Sequence, residues 1–228
     1  SRDDMPTEGY DKVCLILMNN NIDQDKYDPK IGPMNDGYLF GLYHHRFGFK
    51  VFYLYNCIQG NYPKYLQFFL YHTKENLTVY YSGHDTIDYG SHGIEFKDKN
   101  VSSNQFDRLI ARDNNGQCKV VFVSDCAAGG SVYDIQTVNK VNNLNPSDMI
   151  SFFVNKVADT NSKECKRSHG ILTYYFCKFI YEDPSISPVR LLEKMNISLS
   201  RFNITFEYKY NNSLIINDPI YAPNDNHD

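Results

Sequence analysis

The sequence contains no tryptophan, so aromatic core volume has to come from phenylalanine and from tyrosine, whose ring is apolar but whose hydroxyl needs a partner. It contains no apolar run near the ~18–20 residues of a spanning helix, which excludes a helical membrane span and makes a membrane an unexpected partner. It has no excess of basic residues: 23 Lys and Arg stand against 27 Asp and Glu, for a formal charge of -4. A nucleic-acid groove needs clustered phosphate-neutralising charge, so no nucleic acid is expected either. There is also no Cys-x-x-Cys pair. The six cysteines, Cys14, Cys57, Cys118, Cys126, Cys165 and Cys177, are spaced too widely for a zinc ribbon or knuckle. A chain of 228 residues lies above the size at which disulfides have to hold a core, so a reducing, cytoplasmic setting is expected. Five Asn-x-Ser/Thr sequons, at Asn76, Asn100, Asn196, Asn203 and Asn211, point towards secretion instead. In a chain this rich in asparagine such triplets arise by chance and carry little weight.

What the sequence does have is 19 Tyr, 15 Phe and an alternating rhythm. Short apolar runs rich in Val, Ile, Tyr and Phe at 13–18, 50–55, 77–81, 119–123 and 149–154 read as strands. Between and after them, helical spacing of apolar residues runs over 33–47, 62–72, 103–111, 170–181 and 188 to about 201. Strand–helix–strand at these separations implies right-handed parallel crossovers, and strands this apolar are covered on both faces. The expected class is α/β: a mostly parallel, doubly wound sheet of about six strands with helices on both faces. Residues 88–96 read as a short β excursion, 134–148 as a polar exposed loop, and 205–210 with 214–216 as a closing pair of β segments. The whole of 1–228 reads as one domain, with a larger part over 1–133 and a smaller one over 149–228.

Open α/β sheets bind ligands outside the carboxyl ends of their strands. The run 77–81 leads into Ser82-Gly83-His84, and the run 119–123 leads into Ser124-Asp125-Cys126, followed by Ala127-Ala128-Gly129-Gly130. If these strands are parallel neighbours, His84 and Cys126 emerge on one edge, an imidazole beside a thiol. That is the arrangement for nucleophilic catalysis. Small residues after Cys126 would leave its sulfur accessible and its amide free to donate to an oxyanion. Spacing alone also allows Cys126 to be a small turn residue and His84 a loop histidine.

The residues around the two strand ends add a resemblance. Tyr80-Tyr81-Ser82-Gly83-His84 resembles the histidine motif of metacaspases, Tyr-Ser-Gly-His-Gly. Ser124-Asp125-Cys126-Ala127-Ala128-Gly129, continued by Ser131-Val132-Tyr133-Asp134, resembles their nucleophile motif, Asp-x-Cys-His-Ser-Gly. Upstream, Gly32-Pro33-Met34-Asn35-Asp36 looks like the family's Gly-Cys-x-Asn-Asp segment. Downstream, Gly170-Ile171-Leu172-Thr173-Tyr174 looks like its Gly-x-x-Thr-Tyr helix. In order, these segments span nearly the whole chain and resemble the metacaspase branch of the caspase-like cysteine peptidases. The resemblance implies a caspase-like fold and an endopeptidase with His84 and Cys126 as its catalytic dyad. It implies oxyanion donors in the backbone at Gly83 and Asp85, and a pocket for a basic P1 side chain lined by Asp36, Ser82 and Ser124. The implied partner is a peptide or protein substrate; a monomer is expected, and no cofactor is expected beyond the family's calcium, whose site is degraded here.

The departures from the family bear on activity. Asp85 stands where the family has glycine, and a carboxylate beside a developing oxyanion is unfavourable unless it points away. Ser124 stands where the family has one of two acids that grip Arg or Lys, which weakens that preference. The calcium loop of the family is reduced here to Asp85, Asp88 and Glu95, with Asp134 matching one ligand. Calcium takes ~6–8 oxygens, so no tight calcium site and no other metal is expected. Lys140, in the polar loop, is the candidate self-cleavage point. Lys30 matches the position of a caspase arginine that binds an acidic P1, while a solvent-facing lysine is the simpler reading. His44 and His45 are adjacent on a helix and point apart, so they read as core or surface rather than metal ligands. A caspase-fold pseudoenzyme that binds a peptide or protein without turnover is the alternative, and Asp85 and Ser124 favour it.

Overall fold

An apolar run without polar alternation has to be covered on both faces, and strand β1 (Lys12–Met18) is: Val13 through Leu17 are wholly excluded from solvent. The same holds for β3 (Asn76–Gly83), buried along all eight residues, and for β7 (Lys119–Cys126), buried from Val120 onward. Together with β2 (Lys50–Tyr55), β8 (Met149–Lys156) and β9 (Ile204–Tyr210) they form a six-stranded sheet in the order β2-β1-β3-β7-β8-β9. Neighbouring strands are parallel except β8 and β9. These features belong to a computed structural model that describes residues 5–20, 32–88, 91–114, 116–126, 131–133, 135, 147–156 and 170–221.

Helices α1 (Gly32–Arg46), α4 (Ile171–Glu182) and α5 (Pro188–Leu199) cover one face of the sheet. Phe40, Phe176 and Leu191 pack there on Ile16, Tyr80 and Val123. Helices α2 (Tyr62–His72) and α3 (Ser103–Asp113) cover the other face, where Tyr62, Phe69 and Phe106 meet Leu15, Tyr81 and Phe122. Local signals set the helix starts. Pro63 occupies the first turn of α2 and Pro188 opens α5, positions where a missing N–H loses nothing. Ser187 accepts from the Arg190 amide at 3.4 Å, and the Gln105 side chain accepts from the Ser102 amide at 3.3 Å, one half of a capping box. The expected α/β class, with about six mostly parallel strands between helical layers, is what the chain adopts.

The β excursion is larger than residues 88–96 alone. β4 (Asp85–Asp88), β5 (Ser91–Glu95) and β6 (Asn100–Ser102) make a separate antiparallel sheet in that order, entered one residue after β3. The expected strand at 214–216 is instead a 3₁₀ turn, Ser213–Ile216. The reason is local: the Asn212 side chain accepts from the Leu214 amide at 3.1 Å, an Asx turn that bends the chain away from the sheet, and Leu214 stays exposed. Lys30, Asp134, Lys140 and Cys165, with most of the loop at 134–148, lie outside the described residues. Among the described residues no helix is long and apolar enough to cross a membrane.

The strand order matters for function. The chain runs from β1 outward to β2, then returns to place β3 on the opposite side of β1. The crevice at such a reversal, outside the carboxyl ends of the strands, is where an open α/β sheet binds its ligands. The residues at those ends are Met18, the last of β1, with Asn19 after it, Gly83 and His84 at β3, and Cys126 at β7.

Candidate active site

β3 and β7 are parallel neighbours in a register that pairs Tyr81 with Ser124, Ser82 with Asp125 and Gly83 with Cys126. Cys126 is thus the last residue of its strand, opposite the glycine that directly precedes His84. His84 is half-buried and sits in the one-residue gap where the chain leaves the main sheet for the small one. Its backbone carbonyl accepts from the Tyr81 hydroxyl and, at 3.4 Å, from the Glu95 amide of β5. Gly83 is confined: a Cβ there would lie 2.7 Å from the Asn19 carbonyl oxygen and 2.7 Å from the Tyr81 hydroxyl. No side chain fits between β1 and the tyrosine, which accounts for a glycine before the histidine.

Strand alternation then sorts the neighbours onto two faces. On the face shared with α2 and α3, Cys126 packs with Tyr81 and Tyr133. The Tyr133 hydroxyl is hydrogen-bonded to that of Tyr62, and Ser124 alternates to this same side. The sulfur is less accessible than the small residues after it suggest, because Cys126 is only 2% exposed. Its place at the end of a core strand, among buried tyrosines, is the reason.

On the other face, between the sheet and helices α1 and α4, lies a buried polar cluster. Thr173 Oγ1 donates to Asp125 Oδ2 at 2.7 Å, and the Tyr80 hydroxyl lies 2.7 Å from the same threonine oxygen. A threonine has one hydroxyl hydrogen, here given to Asp125, so Tyr80 is the donor in the second bond. Burial, with the charges of Asp125 and Asp36 nearby, pushes the Tyr80 phenol well above its ordinary value. Asp36, on α1, is 7% exposed. Burial first, and then the like charge of Asp125, raises its carboxyl from 3.8 to about 7. It faces the start of α4, where Gly170 caps the helix with φ 89°, and a Cβ on Gly170 would lie 2.8 Å from Asp36 Oδ1. Only glycine tolerates both the left-handed backbone and that approach.

The residues expected to act together therefore fall as follows. Gly83 and Cys126 are paired in the backbone at one sheet edge, and His84 follows Gly83 directly. Asp36 and Ser82 share a face with Asp125, a second carboxylate that sequence reasoning assigned no role. Its signal was the register with Ser82, which exists only once β3 and β7 are paired. Asp85 begins β4 with its carboxylate turned inward, bonded to Nδ1 of His92 at 3.2 Å, and its side chain is 1% exposed. His44 is a core residue. Its ring is 2.8 Å from the Phe40 carbonyl and 2.9 Å from the Tyr221 hydroxyl, and burial lowers it from 6.5 to about 4. Among the described residues no three His, Cys, Asp or Glu side chains converge as a metal site.

No family model matches the sequence, and no curated protein does. Solved structures do match. The chain is similar to caspase-1 from Spodoptera frugiperda, with a TM-score of 0.63 at 11% identity over 92% of this chain and 91% of that one. It is similar to a protein from Geobacter sulfurreducens, with a TM-score of 0.60 at 11% identity over 94% of this chain and 99% of that one. The Drosophila initiator caspase Dronc gives a TM-score of 0.56 at 13% identity, over 90% and 82% of the two chains. At such identities the likeness is one of architecture, and with the strand order and helical layers described above it gives this chain a caspase-like fold.

Proposed function

We propose that the chain is a cysteine endopeptidase of the metacaspase type, with Cys126 as nucleophile and His84 as its acid–base partner. The observation that carries this reading is the register of Gly83 with Cys126, which supports an imidazole and a thiol at adjacent strand ends over the crevice. His84 takes the thiol proton as Cys126 Sγ attacks the scissile carbonyl. The oxyanion is held by backbone amides at Gly83–Asp85 and at Cys126. The C–N bond then breaks as His84 gives its proton to the leaving amine. Water, deprotonated by His84, hydrolyses the acyl-enzyme and restores the thiol.

The same reading assigns the P1 site to the acidic recess. Asp36 and Asp125, with Ser82 alongside, offer two carboxyls to one guanidinium or ammonium, so arginine and lysine are the preferred residues. The acid expected to be missing at position 124 is compensated by Asp125 from the neighbouring position. The second reading, a caspase-fold protein that binds peptides without turnover, is favoured by the burial of Cys126. Treatment with a peptide carrying arginine and a thiol-reactive warhead, followed by mapping of the modified cysteine, separates the two. The peptidase reading expects modification at Cys126, slowed in His84→Ala. Labelling confined to the half-buried Cys57, with Cys126 untouched, would sink it.

A further inference from the structure

One residue beyond His84 the chain carries an acid, Asp85, at the edge where the proposed chemistry develops negative charge. Its charge is within electrostatic reach of that edge. Burial, then Cys126, Asp85 and Glu95 in turn, push the Tyr81 phenol up, so one ring neighbours both the nucleophile and the acid. Yet the Asp85 side chain is 1% exposed, and its Oδ2 is 3.2 Å from Nδ1 of His92, which is itself 30% exposed. His92 lies on β5, the strand paired antiparallel with β4 in a register that sets Asp85 opposite Ile94. Side chains two residues apart on one strand share a face, so His92 stands on the same side as Ile94 and next to Asp85. The same strand braces the base, because the Glu95 amide donates to the His84 carbonyl at 3.4 Å. β5 therefore holds both the backbone of the base and the carboxylate that follows it.

Resting on the peptidase reading, we infer that His92 is a positioning residue: it holds the Asp85 carboxylate against β5, so that the Asp85 backbone N–H faces the reacting carbonyl and its side-chain charge does not. A carboxylate swung towards the oxyanion would oppose the charge that the amides stabilise, which raises the barrier without altering ground-state binding. The loss belongs in kcat, and it depends on Asp85 being an acid.

The test uses the full chain with a fluorogenic peptide bearing arginine at P1, and compares wild type, His92→Ala, His92→Asn, the double variant His92→Ala/Asp85→Gly, and Cys126→Ala. His92→Ala should lose about tenfold or more in kcat with KM little changed, on the scale of a disturbed oxyanion site. His92→Asn keeps an N–H donor and should retain most of the rate. The double variant should recover the rate that His92→Ala loses, although it lacks the hydrogen bond altogether; a purely structural role for His92 would leave the double variant as slow as the single one. Wild-type turnover in His92→Ala, or no recovery in the double variant, overturns the inference. An inactive Cys126→Ala beside unaffected His92 variants overturns the positioning role alone, whereas full activity in Cys126→Ala overturns the peptidase reading beneath it.

Discussion

At the scale of single residues, Asp36 carries the clearest expectation. Its carboxyl titrates near 7 because it is buried beside another acid, and a protonated carboxyl has no charge to offer a guanidinium. Under the peptidase reading a basic P1 side chain must displace that proton, so kcat/KM for an arginine substrate should rise as pH increases through about 7. In Asp36→Asn that limb should disappear along with most of the preference for arginine over neutral residues; an unchanged limb would assign the titration to another group. Gly170 gives a second expectation. With φ 89° and 2.8 Å from a would-be Cβ to Asp36 Oδ1, Gly170→Ala should destabilise the protein by about 1–3 kcal/mol, from backbone strain. Under the peptidase reading it should also weaken cleavage after arginine by displacing Asp36. Thermal unfolding checks the first effect and P1 profiling the second.

At the scale of elements, the buried chain from Tyr80 through Thr173 to Asp125 fastens helix α4 to strands β3 and β7. Thr173→Val keeps the shape and removes the hydroxyl, leaving the Tyr80 donor and the Asp125 acceptor without this partner inside the protein. Unsatisfied buried groups cost about 1–3 kcal/mol each, and more when charged. Denaturant midpoints should therefore fall clearly for Thr173→Val and hardly at all for Thr173→Ser. Equal stabilities would mean that the chain is not a structural tie. The elements themselves were legible from sequence, because buried parallel strands leave unbroken apolar runs such as 13–18 and 119–123 and because Pro188 opens the helix that follows it. The partnership of Asp36 with Asp125 was not. In sequence, Asp125 is a neighbour of Cys126, and only the alternation of β7 and its pairing with β3 send the acid to one face and the thiol to the other. The burial of Cys126 was hidden for the same reason: Tyr81 and Tyr133, which close around it, come from separate segments. The turn at Ser213–Ile216 was misread because a short Leu-Ile-Ile run resembles a strand until the Asn212 side chain captures the Leu214 amide.

For the molecule as a whole, two buried groups pull the pH dependence of stability in opposite directions. The folded chain keeps the Asp36 proton up to about 7, while the unfolded chain releases it near 3.8, so this group makes stability fall as pH rises between those values. The unfolded chain protonates His44 near 6.5 and the folded chain only near 4, so this group makes stability fall as pH drops across that window. Where the windows overlap the slopes, each up to about 1.4 kcal/mol per pH unit, oppose one another. Asp36→Asn removes one of them. It should be more stable than wild type near neutrality, approach it near pH 4, and lose stability on acidification more steeply. Urea midpoints across this range would decide, and parallel curves for the two proteins would contradict the assignment.

The pairing of Gly83 with Cys126 also has a consequence in time. In the order of synthesis, β3, His84 and the whole of the small sheet leave the ribosome before β7 does. Strands paired locally, such as β4 and β5, close early, whereas β3 and β7 must wait for distant chain. A nascent chain therefore holds His84 for an interval with no Cys126 beside it. Under the peptidase reading, neither the growing chain nor its neighbours on a polysome can be cut by it until the sheet is nearly whole.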